Sequence, residues 1–165
     1  MDYLYVGKIV NTHGIKGELR ILSNFDKKEL VFKPGMNLYI GDGKEEHKIV
    51  TYRKHKEFDM VTFEGYNNIN QVLIYLKMKV YVNRDDLGLK EDEYVLEELV
   101  GMNIIYDDRI IGKVDEIVYN NGNVLLHVSG EKSFYIPNHS NFINKVLLDK
   151  KEIHVSNIEG LMLWK

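Results

Sequence analysis

Short apolar runs separated by glycine, proline and charged residues dominate the first half of the chain. Residues 3–10 and 18–22 are such runs, on either side of a glycine-containing loop at 12–17. Residues 48–53 and 60–63 flank a charged tip, which is the pattern of a β-hairpin. Short strands at this spacing predict a small β-barrel.

One helix is predicted among these strands. Its apolar side chains recur at helical spacing, at Ile69, Val72, Leu73 and Leu76. Asn68 is a suitable N-cap, and Gln71 three residues later fits a capping box. The spacing predicts one amphipathic helix before the last strand of this half.

A charged segment, 83–93, breaks the alternation, since seven of its eleven residues are charged. We interpret residues 84–93 as a linker between a first domain, 1–83, and a second domain, 94–165. The second domain again contains short apolar runs. An Asn-Gly pair within 120–123 predicts a tight hairpin there.

The composition agrees with a β-rich fold. The 165 residues include no alanine, the best helix former, but many Val, Ile and Tyr, which favour strands. We therefore predict an all-β protein with two small β-barrels. The absence of cysteine excludes disulfides, thiolate nucleophiles and cysteine-based metal sites. No apolar run is long enough to span a membrane and the first residues lack a signal-peptide pattern, so we expect a cytoplasmic protein without membrane contact.

Charge is unevenly distributed along the chain. Residues 1–83 carry 13 Lys and Arg against 10 Asp and Glu, whereas residues 84–165 carry 9 against 15. A slightly basic half joined to an acidic half is unlike a free-standing nucleic-acid-binding protein, which is usually strongly basic. The distribution fits a chain that places one face on RNA and another on a basic protein.

The loop at 13–17, with the sequence His-Gly-Ile-Lys-Gly, is the first candidate for a binding site. Its glycines would let backbone amides approach an anion, which Lys16 or Arg20 could neutralise. It is not a P-loop, because the Gly-Lys-Ser/Thr ending before a helix is missing. Two interpretations stay open. Either Gly14 and Gly17 only form a tight connection between strands, or the loop contacts RNA or a protein partner.

Residues for catalysis or metal binding do not form a recognisable motif. The six histidines show no metal-ligand spacing, and no Gly-x-Ser-x-Gly nucleophile elbow occurs. Adjacent acidic pairs such as Asp107-Asp108 lie in solvated turns or point to opposite faces of a strand. We therefore expect no enzyme activity, no metal ion and no cofactor.

Basic and aromatic residues are interleaved in the first half. They are Lys27, Lys28, Lys44, Lys48, Arg53, Lys54 and Lys56, with Tyr39, Tyr52 and Phe58. Aromatic rings among cations can stack bases while the cations hold phosphates. A charged barrel rim explains the same residues equally well, so both interpretations stay open.

Several segments together resemble one known family. They are VGKIVNTHGIKGELRI at 6–21, VNRDDLGLKEDEYVLEELVG at 82–101, IIGKV at 110–114 with NVL at 123–125, YIP at 135–137 and EGL at 159–161. In order and spacing they are similar to the ribosome maturation factor RimM family over essentially the whole chain. The resemblance implies an N-terminal barrel like that of translation factors, followed by a PRC-barrel.

The resemblance also implies a function that involves binding rather than catalysis. It implies late assembly of the small-subunit head and 16S rRNA processing, with the head protein S-nineteen bound through the PRC-barrel. We expect a monomer whose partners are S-nineteen, the immature small subunit and its rRNA. S-nineteen is basic, so an acidic second half fits it.

The resemblance assigns candidate contact residues in both domains. The first-domain loop maps onto Thr12, His13, Gly14, Lys16, Gly17 and Arg20, as contacts with rRNA or the ribosome. Of these, we expect Lys16 and Arg20 to face phosphate. Many members begin the PRC-barrel with two adjacent tyrosines linked to ribosome binding, and the matching positions here are Tyr94 and Val95. Tyr94 either anchors a partner protein or packs between the linker and the second domain.

Two other classes of protein stay as alternatives. A small hydrolase or nucleotide-binding enzyme would show turnover or saturable nucleotide binding. A stand-alone RNA-binding barrel would bind naked rRNA through residues 1–83, with a steep loss of affinity when salt is added.

Overall fold

Two compact units make up the chain, and they divide between Glu93 and Tyr94. The structure, a computed structural model, describes residues 1–162. Strands form most of the regular structure in both units, and each described helix is a single turn. The all-β class predicted from the sequence is confirmed.

Six antiparallel strands form a closed barrel in the first unit. They are β1 (Tyr3–His13), β2 (Glu18–Leu22), β3 (Asn37–Ile40), β4 (Glu45–His55), β5 (Phe58–Phe63) and β6 (Lys79–Asn83). Their order is β1-β2-β5-β4-β3-β6, and β1 closes the ring by pairing with both β2 and β6. The connections contain helix α1 (Lys28–Val31), helix α2 (Ile69–Val72) and a 3₁₀ turn (Leu73–Tyr75), and a further 3₁₀ turn (Arg84–Leu87) follows β6.

The interior of this barrel is filled by side chains. Ile9, Leu19, Ile21, Leu38 and Met60 are all fully buried. Successive side chains of a strand point to opposite faces, so the alternate positions form the outer surface. Barrels with few strands have room inside only for side chains. Binding surfaces of the first unit therefore lie on its outer face and at its ends.

The segment predicted as one helix forms two short turns instead. Asn68 is the N-cap, as predicted, and its side chain caps the first turn. Gln71 accepts a hydrogen bond from the N–H of Asn67, not from the N-cap residue itself. Val72 is buried but Leu73 is 44% exposed, so only part of the apolar stripe faces the barrel. The prediction of a continuous amphipathic helix was wrong, because the chain tightens into a 3₁₀ turn after Val72.

Six strands also form the sheet of the second unit. They are β7 (Asn103–Tyr106), β8 (Arg109–Asn120), β9 (Asn123–Gly130), β10 (Phe134–Pro137), β11 (Ile143–Leu147) and β12 (Glu152–Val155). Their order is β10-β9-β8-β7-β12-β11, in which β12 and β7 run parallel. A 3₁₀ turn (Leu96–Leu99) precedes the sheet, and helix α3 (Glu159–Met162) follows it.

This second sheet encloses its own apolar core. Leu99, Ile104, Leu126, Ile136 and Ile153 belong to it, and each is 0% exposed. Among the described residues, β10 and β11 are the two edges of the sheet and do not pair with each other. The second barrel is therefore an open half-barrel, whereas the first is a closed ring.

The Asn-Gly pair forms the tight hairpin that was predicted. Strands β8 and β9 pair up to Asn120 opposite Asn123, which leaves Asn121 and Gly122 as the loop. Their φ angles of 49° and 83° are both left-handed, as a type I′ turn requires. Two residues thus set the register of the longest hairpin in the second unit.

The acidic segment 84–93 groups with the first unit in the structure. Leu87 is 4% exposed, and Nη2 of Arg84 donates to the carbonyl of Glu93 at 3.0 Å. Nζ of Lys27 lies 3.5 Å from the Glu93 carboxylate. The segment is therefore folded, and its role as a linker between domains stays a prediction.

This grouping changes the distribution of charge between the units. Residues 94–165 alone carry 7 Lys and Arg against 10 Asp and Glu, a net charge of −3. The segment 84–93 carries 2 against 5 and contributes another −3. Half of the acidic excess of the second half of the sequence therefore lies in this segment.

Candidate functional site

The turn between β1 and β2 has one open side and one packed side. Ile15 is 75% exposed and Lys16 is exposed. Gly14 and Gly17 have φ angles of 69° and 89°, which glycine adopts without steric cost. A β-carbon on Gly17 would lie 3.1 Å from the carbonyl oxygen of Tyr66, whereas one on Gly14 would meet open space. The open side therefore runs from Gly14 to Lys16.

The packed side of the turn is held by the loop that precedes α2. The backbone N–H of Ile69 donates to the carbonyl of Ile15 at 2.9 Å. A β-carbon on Gly17 would also lie 3.2 Å from the backbone nitrogen of Asn68. The interpretation as a tight connection accounts for Gly17. Contact with RNA or a partner stays a prediction for the open side.

Arg20 is engaged within the first unit. Its Nη2 lies 2.8 Å from Nδ1 of His13, and its guanidinium carbon lies 5.6 Å from the centre of the Phe58 ring. A guanidinium only donates, so Nδ1 of His13 accepts and the proton of the neutral ring is on Nε2. Nε of Arg20 is buried and has no hydrogen-bond partner within residues 1–162. Arg20 therefore orients His13, and its contact with phosphate stays a prediction.

Two residues of β4 bring further charge to the same end of the barrel. Arg53 donates two hydrogen bonds of 2.8 Å to the carboxylate of Glu18. These bonds lower the pKa of Glu18, against the opposing effect of its burial. The rings of His13 and His55 lie 5.8 Å apart. We call His13, Glu18, Arg20, Arg53 and His55 the barrel-end cluster.

Sequence reasoning did not group the members of the barrel-end cluster. His55 was only one of six scattered histidines, and Glu18 was only the start of a strand. The pairing of β4 with β5 and of β5 with β2 brings these strands together. The hairpin pattern was visible in the sequence, but the order of strands around the barrel was not.

The six predicted loop residues occupy different environments. Thr12 is half-buried in β1, opposite Leu19. Gly17 packs against the loop before α2, and His13 and Arg20 contact each other. Gly14 and Lys16 lie on the open side. The chain thus brings all six to one end of the barrel, and Lys16 is the exposed cation among them.

Part of the interleaved basic and aromatic group stabilises the first unit itself. Asp59 is 0% exposed, and its carboxylate lies 2.8 Å from Nζ of Lys28. The hydroxyl of Tyr52 donates to the same carboxylate at 2.7 Å. Burial, followed by this bond to Asp59, raises the pKa of Tyr52 to about 12. For these residues, the interpretation as a structural rim fits better than a nucleic-acid surface.

The two predicted contact residues of the second unit differ in exposure. Tyr94 is half-buried and packs against the apolar core of that unit. Val95 is 0% exposed, and its N–H donates to the Glu98 carboxylate at 3.0 Å, which caps the following 3₁₀ turn. Val95 therefore offers no side-chain surface to a partner, and a contact through Tyr94 stays a prediction. Glu97 and Glu98, in the turn that follows, add two carboxylates.

Metal-ligating side chains are not clustered in the described part of the chain. Residues 1–162 contain no group of three His, Asp or Glu side chains that could hold a metal ion. Over the same range, none of the helices has the length and apolar character needed to cross a bilayer. The second unit has a cavity of about 310 Å³ whose described lining includes Tyr106, Arg109 and Glu131 but no Ser, Thr or His.

Comparisons with known proteins cover both units. The RimM N-terminal domain matches residues 4–87, and the RimM PRC barrel domain matches residues 96–161. The chain is 39% identical to a ribosome maturation factor RimM from Exiguobacterium sp., over 98% of each chain. It is 38% identical to a ribosome maturation factor RimM from Staphylococcus haemolyticus, over 95% of this chain and 97% of that one.

A solved structure is also similar to this chain. It is the crystal structure of a Pseudomonas aeruginosa protein assigned as a 16S ribosomal RNA processing protein RimM, with a TM-score of 0.48 and 19% identity. It covers 94% of this chain and 97% of that chain. The sequence matches are much closer and extend across both units. On those matches, the chain belongs to the ribosome maturation factor RimM family.

Proposed function

We propose that this protein is a ribosome maturation factor that supports 16S rRNA processing and late assembly of the small-subunit head. The observation that carries the proposal is the match of both units to RimM domains and of nearly the full length to relatives named ribosome maturation factor RimM. The protein acts by binding, not by chemistry. Its place of action is the cytoplasm, where it binds the immature small subunit as a monomer.

The rRNA contact lies on the open side of the β1–β2 turn. Lys16 is exposed there, and no ion-pair partner for it occurs within residues 1–162. Gly14 leaves the backbone of the turn accessible, since nothing lies within 4 Å of its β-carbon position. Arg20 and Arg53 of the barrel-end cluster add positive charge, although Glu18 offsets that of Arg53. An exposed cation beside accessible backbone amides supports a contact with phosphate.

The second unit binds the basic head protein S-nineteen. Its net charge of −3 supports a basic partner, and the segment 84–93 adds a further −3. Tyr94 lies two residues before the turn that carries Glu97 and Glu98. A half-buried tyrosine with carboxylates nearby is the kind of anchor that dominates many interfaces.

In this mechanism, the protein temporarily covers a positively charged surface of S-nineteen. S-nineteen must finally meet rRNA, which is itself a polyanion. An acidic barrel that occupies the basic surface keeps it from unproductive contacts while the head is incomplete. The protein leaves when the mature head geometry removes its binding site.

Sedimentation of the full chain with immature and mature small subunits tests this function. We expect the protein to be enriched on immature subunits and cross-linked there to S-nineteen. Tyr94→Ala should weaken this association. Tyr135→Ala, which removes a tyrosine that is 49% exposed elsewhere on the second unit, is the matched control and should leave it unchanged. Equal retention on both kinds of subunit, or on neither, would contradict the proposal.

A second measurement isolates the β1–β2 turn. Lys16→Gln should lower the slope of log affinity for the immature subunit against log salt by about 0.7 to 0.9, the contribution of one phosphate contact. Lys150→Gln removes an exposed lysine of the second unit and should not change the slope. Equal slopes for the wild type and Lys16→Gln would exclude a phosphate contact at this residue.

A further inference from the structure

The outer face of β1 and β6 carries tyrosines and lysines in matched cross-strand positions. Tyr5 is opposite Tyr81, and Lys8 is opposite Lys79. The rings of Tyr5 and Tyr81 lie 5.9 Å apart in an edge-to-face arrangement. Nζ of Lys44, from the turn between β3 and β4, lies 4.1 Å from the centre of the Tyr81 ring. We call these five residues the lysine–tyrosine ladder.

Lys8 and Lys79 place two positive charges side by side without a counter-charge. Both side chains are exposed, and within residues 1–162 neither has an ion-pair partner. On its other side, Lys8 is opposite Leu22, which is 47% exposed. Like charges directly opposite on neighbouring strands are destabilising. A bound anion would remove this repulsion.

Tyr5 supplies an accessible aromatic surface next to these charges. Tyr5 is 37% exposed. The positive charge of Lys44 lies over Tyr81, its direct neighbour. Proteins bind single-stranded nucleic acids with aromatic rings flanked by cations, because bases stack on the rings and phosphates pair with the cations.

Two carboxylates lie near Tyr39, on the β3 side of Tyr81. On β3, Tyr39 is opposite Tyr81, and its hydroxyl donates to the Glu46 carboxylate at 3.2 Å. Burial, then this bond, raises the pKa of Tyr39 to about 12, and the charge of Asp86 adds to the effect. These carboxylates accompany Tyr39, whereas Lys8 and Lys79 have no carboxylate partner within residues 1–162. A polyanion is therefore directed to Lys8 and Lys79.

The ladder is separate from the barrel-end cluster. On β1, the ladder residue nearest to His13 is Lys8, five residues away, a distance of about 16 Å for extended chain. The ladder occupies the outer face of the sheet, whereas the cluster occupies one end of the barrel. A single RNA segment would have to be several nucleotides long to meet both.

We propose that the lysine–tyrosine ladder binds single-stranded RNA, with a base stacked on Tyr5 and backbone phosphates at Lys8 and Lys79. Unpaired RNA fits this face because a duplex keeps its bases stacked on one another and unavailable to Tyr5. Only the identification of this RNA as unpaired rRNA of the immature subunit rests on the proposed function. The ladder gives the first unit a second RNA surface besides the β1–β2 turn.

Binding of a labelled short oligouridine to the full chain, followed by fluorescence anisotropy over a range of salt concentrations, tests the role of the lysines. The double variant Lys8→Gln/Lys79→Gln should lower the slope of log affinity against log salt by about 1.4, since each phosphate contact to a single strand contributes about 0.7. Lys33→Gln/Lys150→Gln changes the net charge equally at two other exposed lysines and should keep the wild-type slope. Removal of the repulsion should leave the thermal midpoint of the ladder variant equal to that of the wild type or higher.

Two substitutions at Tyr5 test the stacked base. Tyr5→Leu should weaken oligouridine binding about tenfold, in the range found when a stacking ring is removed. Tyr5→Phe keeps the ring and should bind within about twofold of the wild type. An RNA duplex of the same length should bind more weakly than oligouridine and should not respond to Tyr5→Leu.

The outcomes distinguish this inference from the proposed function. A smaller salt slope and a lower affinity for oligouridine in the ladder variants support the inference. Failure of the wild type to sediment with small subunits contradicts only the proposed function. No binding of oligouridine by the wild type, or unchanged binding by the ladder variants, overturns the inference. Ladder variants could lose sedimentation with small subunits and still bind oligouridine normally. That result would make the ladder a protein-docking surface and would also overturn the inference.

Discussion

Nη2 of Arg20 lies 2.8 Å from Nδ1 of His13, so a group that can only donate holds the imidazole ring. The contact selects the neutral ring with its proton on Nε2. A second proton on Nδ1 would point one donor at another and break the hydrogen bond. The geometry of the barrel-end cluster therefore depends on the tautomer of His13.

Nitrogen NMR of the histidine rings at neutral pH checks this tautomer. We expect the Nε2–H pattern for His13. His127 is an internal control with the opposite expectation, since its Nδ1 lies 2.6 Å from the carboxylate of Asp115, which only accepts. An Nδ1–H pattern for neutral His13 would contradict the contact with Arg20.

Substitution of the two turn glycines separates backbone strain from packing. Gly14→Ala and Gly17→Ala both force alanine into a left-handed conformation, which costs about 1 kcal/mol. Only Gly17→Ala also presses a β-carbon against the backbone of Tyr66 and Asn68. We expect Gly17→Ala to lower the free energy of unfolding in urea by about 1 to 2 kcal/mol more than Gly14→Ala. Equal losses would show that the turn does not pack there.

The buried carboxylate of Asp59 should contribute strongly to stability. Asp59→Asn leaves Nζ of Lys28 without its counter-charge inside the unit, and the loss should be about 2 to 3 kcal/mol, reduced by the partial exposure of Lys28. Lys54→Gln is the control, because Lys54 Nζ lies 3.8 Å from the same carboxylate but is half exposed, and its loss should stay below about 1 kcal/mol. Urea unfolding of both variants measures the difference. Similar losses would mean that Lys28 is not the main partner.

The Glu18–Arg53 contact makes stability depend on pH in the acid range. Arg53 holds the pKa of Glu18 below its usual value of 4.5. A carboxylate with a lowered pKa stabilises the fold fully above pH 4.5, and the contribution is lost as the pH falls through the lowered value. We therefore expect the difference in unfolding free energy between the wild type and Glu18→Gln to shrink below that pH. A constant difference would show that Glu18 has the same pKa in the folded and unfolded chain.

Local patterns in the sequence were sufficient for most strands and for one turn. Alternation predicted β2 as residues 18–22, the range that the structure has. Asn121 and Gly122 predicted their hairpin because few other residue types adopt two successive left-handed conformations. Features of this kind depend only on neighbours in the chain, so a single sequence is enough to find them.

Features that depend on strands distant in the sequence could not be predicted in this way. Lys28 and Tyr52 resembled surface residues, but both contact the buried carboxylate of Asp59, which belongs to a third segment, β5. The cross-strand pair Lys8 and Lys79 requires the closure of β1 on β6, which no local pattern contains. Strand β11 was not predicted because its sequence, Ile-Asn-Lys-Val-Leu, lacks apolar alternation; it pairs with β12.

The pairing of Tyr3 with Asn83 has a consequence for synthesis of the chain. The first strand of the barrel has its last partner about eighty residues later, so the ring cannot close until that partner has left the ribosomal exit tunnel. Until then the outer edge of β1 is unpaired, and contacts so distant in sequence form slowly. The first unit therefore acquires its fold, and with it both proposed RNA surfaces, only after more than half of the chain has been translated.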